Sequence, residues 1–80
     1  MKVYGCMKFR DGRQVRCVAA VSSQKEFAEL MDCSLHYIRG YGAETGNPLE
    51  VAVSQASPHT LFWESSTDTG TAYLPWTKET

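Results

Sequence analysis

Residues 23–41, SQKEFAELMDCSLHYIRGY, limit what this chain can become more than any other stretch. Ser23 followed by Glu26 is a capping box, in which a hydroxyl and a carboxylate satisfy backbone N–H groups that a helix start leaves free. Phe27, Leu30 and Met31 then recur at helical spacing and form one apolar stripe. Asp32 tolerates the left-handed backbone of a tight turn better than most residues. Ser34 can cap a second helix. That helix is predicted over 35–40, ended by Gly40 and Gly42, with Leu35, Ile38 and Tyr41 facing inward. Ala28 sits mid-helix, where a close crossing admits only a small side chain, and Ile38 is expected to pack on it. Two short helices joined by a tight turn are the reading.

The flanks supply strands. Residues 2–9 and 14–21 are rich in Val, Tyr, Phe and Cys and enclose Arg10-Asp11-Gly12-Arg13. Asp-Gly is a preferred pair for a two-residue type I′ hairpin turn. In that register Cys6 faces Cys17, as a small apolar pair or as a crosslink on oxidation. Residues 42–47 read as a polar loop. Asn47-Pro48-x-Glu50 starts a third helix, predicted over 48–55 and stopped before Pro58. Residues 60–64 read as a strand, 65–70 as a turn, and 71–76 as a last strand that Pro75 places at an edge. The tail 77–80 is expected to fray. The order β-β-α-α-α-β-β predicts one α+β domain over 1–80: a β-hairpin, three short helices and a C-terminal β-hairpin, with a small antiparallel sheet packed on the helices. A chain of 80 residues buries only roughly 60% of its unfolded surface, so a homo-oligomer, most simply a dimer, is expected.

Composition closes several doors. The apolar fraction of 42% and charged fraction of 21% are those of an ordinary globule. No apolar run approaches the ~20 residues of a membrane span. Lys8 and Arg10 interrupt the place where a signal peptide needs its apolar run, so a cytoplasmic protein is expected. The three cysteines, Cys6, Cys17 and Cys33, are odd in number and lack zinc spacing, while His36 and His59 stand alone. Free thiols, no metal and no cofactor follow. No Ser/His/Asp or Cys/His grouping is evident, and an enzyme is not expected. The net charge is −1, yet Lys2, Lys8, Arg10, Arg13 and Arg16 account for five of the eight basic residues. A basic hairpin carrying Lys8, Arg10, Arg13 and Arg16 on an acidic body suggests an anionic or acidic partner.

Three constellations could carry a function. The pair of helices in 23–41 resembles the helix-turn-helix of DNA-binding repressors. That resemblance implies a groove-reading face of Ser34, His36, Tyr37, Arg39 and Gly40, in which Arg39 is the one strong base or phosphate reader. Glu26 and Glu29 would repel the phosphate backbone, and any two short helices packed at an angle give the same pattern. The second is the loop RGYGAETGN. Arg39, Thr45 and Asn47 can bind phosphate or base edges, Tyr41 can stack on a ring, and the helix start at Pro48 offers amides to an anion. Its glycine spacing is neither a dinucleotide fingerprint nor a P-loop, and a capped turn between helices is the plainer account of it. The third is the aromatic set Tyr4, Phe62, Trp63, Tyr73 and Trp76, as core or as interface anchors.

The whole chain also resembles small uncharacterised proteins of tailed phages and prophages. The opening KVYG, the hairpin FRDGRQVRCVAA, the serine-started helix and the loop YGAETGN carry that likeness. Proteins of this kind include counter-defence factors and small helix-turn-helix regulators. The resemblance implies a non-enzymatic binding protein that masks a host defence protein or sequesters a signalling nucleotide. The alternative is a helix-turn-helix transcriptional regulator that binds DNA.

Overall fold

A computed structural model describes residues 1–67 and 70–76. Its elements are β1 (Lys2–Arg10), β2 (Arg13–Val21), α1 (Gln24–Met31), α2 (Leu35–Tyr41), β3 (Ala43–Glu44), α3 (Pro48–Ala56), β4 (Phe62–Thr67) and β5 (Gly70–Pro75). The fold is α+β. Among the described residues, five strands form one antiparallel sheet in the order β3-β1-β2-β4-β5.

The first hairpin follows from its turn. Asp11 has φ 53° and Gly12 φ 81°, the two positive values a type I′ turn demands. Arg10 pairs with Arg13, and the register runs without slippage to Lys2 opposite Val21, with Cys6 opposite Cys17. Alternation then gives each strand two faces. On one face Tyr4, Cys6, Val15, Cys17, Ala19 and Val21 join Phe27, Ala28, Met31 and Ile38 in the main core, against α1 and α2. On the other face Val3, Val18, Ala20 and Phe62 are buried as well. α3 lies across that face, packed on β1 and β2. The sheet is therefore the middle layer of three.

The helix pair forms as its caps direct. The Ser23 hydroxyl accepts from the Glu26 N–H, and the Glu26 carboxylate accepts from the Ser22 N–H at 2.9 Å. Asp32 closes α1 in the left-handed region (φ 55°), and the Cys33 N–H donates to the Ala28 carbonyl at 3.0 Å. Ser34 accepts from the Tyr37 N–H. α1 has no basic residue in its last turn, and Lys8 of β1 supplies the missing cation by donating its ammonium to the Met31 carbonyl.

Four expectations need correction. Residues 42–47 are not all loop: Ala43 and Glu44 pair with Gly5 and Tyr4 as a short edge strand, since β1 would otherwise present a bare edge. α2 continues to Tyr41, but Tyr41 faces solvent at 76% exposure, because Ile38 already fills the inward position and the last turn carries the Tyr41 side chain past the core edge. α3 runs one residue further than expected, to Ala56. β4 starts at Phe62 and continues to Thr67, through residues expected to turn, so the strands of the second hairpin are longer on the turn side. The expected frayed tail, 77–80, and the middle of that turn, 68–69, lie outside the described residues.

Candidate binding surface

Thr45 and Asn47 come together at the start of α3, where they serve the helix. Asn47 Oδ1 accepts from the Leu49 and Glu50 N–H groups at 3.0 and 3.3 Å. Thr45 Oγ1 accepts from the Asn47 N–H and donates to Glu50 Oε1 at 2.7 Å. Glu50 is buried at 3% exposure and takes the Arg16 guanidinium on both carboxylate oxygens, at 2.5 and 3.1 Å. The Tyr73 hydroxyl donates to it at 3.4 Å. Burial alone would raise the Glu50 carboxyl. Hydrogen bonds from Arg16 and Thr45, the Arg16 charge and the Tyr73 hydroxyl outweigh it and hold the group below the usual carboxylate range. The first-turn amides of α3 thus already have an acceptor, and a carboxylate stands directly behind them.

Arg39 and Tyr41 sit at the other end of the loop, on the last turn of α2. Both are exposed. The Tyr41 ring packs on Tyr37 with centroids 5.0 Å apart. The four expected ligand residues therefore divide into a pair engaged at the start of α3, Thr45 and Asn47, and a pair left outward, Arg39 and Tyr41. Leu49, on the far side of β3 along the chain, is 68% exposed. A side chain at the second position of a helix that packs by its Glu50 and Ser54 side points away from the sheet.

The face proposed for DNA divides similarly. Ser34 spends its hydroxyl on the cap, and the Tyr37 hydroxyl donates to the Met7 carbonyl at 3.1 Å. His36, Arg39 and Gly40 are exposed. Ala28, by contrast, is buried with Ile38 in the core, as the crossing of the two helices requires.

Most of the basic hairpin faces inward. Lys8 caps α1. The Arg10 guanidinium lies against the Trp63 and Trp76 rings, 4.7 and 4.5 Å from their centroids, a double cation–π contact that ties the hairpin tip to the second hairpin. Arg16 crosses the sheet to Glu50. Only Arg13 of the four is exposed without an ion pair among the described residues.

Three features escaped the sequence reading. The Arg16–Glu50 pair joins residues 34 apart and leaves no local signal. Glu26 shares a hydrogen bond with the His59 ring, which links the start of α1 to the α3–β4 connection. Phe9, at 67% exposure, and Met7, at 38%, stand out from the part of the sheet face that α3 does not reach. The hairpin register alone would have put Phe9 and Met7 on one face. No helix among the described residues is long and apolar enough to cross a membrane, and no group of three or more potential metal ligands is found among them.

Comparison with known proteins found no matching family model, no matching curated protein and no matching solved structure.

Proposed function

We propose that this chain is a non-catalytic binding protein of the phage counter-defence kind. In this reading it acts in the cytoplasm of the infected host by covering the surface of a host defence protein, rather than by sequestering a nucleotide. One observation carries the choice between those two versions. The α3 end of the loop that would have to hold a phosphate has its donors engaged: Asn47 occupies the first amides of α3, Thr45 serves Glu50, and Glu50 takes the Arg16 charge. An incoming phosphate would displace a cap and meet a carboxylate. What the same region leaves outward is Arg39, Tyr41 and Leu49. Tyrosine and arginine are the residue types that dominate binding energy at protein interfaces, and the packing of Tyr41 on Tyr37 lowers the entropy lost on contact.

The test is capture of a host protein on immobilised chain, followed by Tyr41→Ala and Leu49→Asp. Each variant should keep its circular dichroism spectrum, and each should weaken the captured complex by roughly thirty-fold. Calorimetry with linear and cyclic nucleotides gives the opposing result: a nucleotide bound by the wild type and lost in Tyr41→Ala would establish the sequestering version. The exposed pair His36 and Arg39 on α2 favours the regulator as second reading. Retardation of a duplex that weakens steeply with salt and is lost in Arg39→Ala would establish it.

A further inference from the structure

The face of the sheet that carries α3 is only half covered. Val3, Val18, Ala20 and Phe62 are buried there, but the residues further toward the hairpin tip on the same face, Met7, Phe9 and Gln14, are exposed. Two shapes lie side by side on this uncovered half. One is a projection: the Phe9 ring, directly opposite Gln14 in the register. The other is a depression of about 260 Å³ lined by Met7, Arg13, Gln14, Val15, Arg16 and Glu64. It opens where β2 and β4 part, since their pairing ends at Cys17–Trp63 and goes no further toward the hairpin tip. A cavity of about 150 Å³ is enough to hold benzene, so the depression has room for a phenyl ring. Its wall also carries one charge of each sign outside the Arg16–Glu50 ion pair. Arg13 and Glu64 both line it, and neither has an ion-pair partner among the described residues.

We propose that this face is the interface of a two-fold dimer of the chain, in which Phe9 of each copy enters the depression of the other and Arg13 of each copy pairs with Glu64 of the other. A two-fold axis presents the same patch to itself, so the patch must hold both halves of every contact. This one does: a knob beside a hole, and a cation beside an anion. An unrelated partner would need only one member of each. Arg39, Tyr41 and Leu49 are not among the residues that line the depression, so variants at Phe9, Arg13 and Glu64 test the dimer without altering the residues of the host-protein reading.

Sedimentation velocity on the full chain tests it. The wild type should sediment as a dimer, and Phe9→Asp should raise its dissociation constant about a hundred-fold or more, since two copies of the anchor are lost at once. Arg13→Glu replaces both attractive pairs of the dimer with two carboxylates facing each other. Glu64→Arg replaces them with two guanidinium groups facing each other. Each variant alone should therefore be monomeric. In an equimolar mixture the two variants form a mixed dimer in which one cross-pair is carboxylate with guanidinium, reversed in sense, and the other is the native guanidinium with the native carboxylate. The mixture should recover the dimer. This arm does not depend on the folding of the Phe9 variant. A wild type that remains monomeric up to about 1 mM overturns the proposal and leaves the face to a different partner. So does a dimer that Phe9→Asp leaves intact, or a mixture that fails to associate.

Discussion

Gly5 shows how one residue can hold two layers together. A Cβ at this position would overlap the Arg16 guanidinium, which lies over the β1 backbone on its way to Glu50. The displaced group is the end of a flexible side chain, so the clash itself costs little. The cost of Gly5→Ala comes from pulling Arg16 off a carboxylate that is buried and has few other partners. We expect a loss of roughly 1–3 kcal/mol at neutral pH. The pH dependence identifies the cause. In the wild type Glu50 is held below its usual value, so its contribution is present above about pH 4.5 and is lost as pH falls through the lowered pKa. Without Arg16, burial pushes the carboxyl up and protonation relieves it. The difference between wild type and Gly5→Ala in denaturant melts should therefore shrink from pH 7 to pH 4, and a constant difference would exclude this account. The thiols make a second case. Burial pushes Cys17 up to about 12 and raises Cys6 and Cys33 as well. Thiolate is the reactive form. A disulfide reagent at pH 8 should label the half-buried Cys33 first, and Cys6 and Cys17 only on unfolding.

At the scale of elements, the two helical layers are built differently. α1 and α2 meet through Ala28, at 4% exposure, over a core that includes Phe27, Met31 and Ile38. Ala28→Leu should overpack that crossing and lower stability by roughly 1–3 kcal/mol, read as a fall in the melting temperature. α3 is held by polar residues: its fully buried positions are Glu50 and Ser54. Glu50 is satisfied, whereas the Ser54 hydroxyl is buried without a hydrogen-bond partner among the described residues. Ser54→Ala removes a desolvated hydroxyl and installs the best helix former. It should raise stability by about 1 kcal/mol, and a fall in the melting temperature would mean that the hydroxyl has a partner.

Across the whole molecule, that asymmetry sets the order of opening. The core that joins the sheet to α1 and α2 contains most of the fully buried apolar side chains, and β1 and β2 run through its centre. α3 adds less apolar burial and depends on one ion pair. Free energies of local opening follow such differences. In native-state hydrogen exchange, the amides of α3 should exchange ahead of those of β1, β2 and α1, and the gap should widen in Gly5→Ala. Exchange of all four at one rate would make the three layers a single cooperative unit.

Local rules were legible in the chain from the start. Asp11-Gly12 set the hairpin, and with it the facing of Cys6 and Cys17. Ser23, Ser34 and Asn47 set three helix starts, Asp32 set a turn, and Ala28 marked a crossing, because each depends on residues within a few positions of one another. The candidate surface was legible only in part. Arg39 and Tyr41 proved exposed, but Thr45 and Asn47 turned out to be spent on the helix they precede. Three of the four hairpin cations found uses in Met31, Trp63, Trp76 and Glu50, none of which is near in sequence. Whether a polar side chain is free to meet a partner depends on what the fold brings to it. That is a long-range property, decided by which helix lies on which face of the sheet and how far it reaches. Sequence alone determined where most of the elements begin and end; the tertiary structure decided which of their polar groups remain unspent.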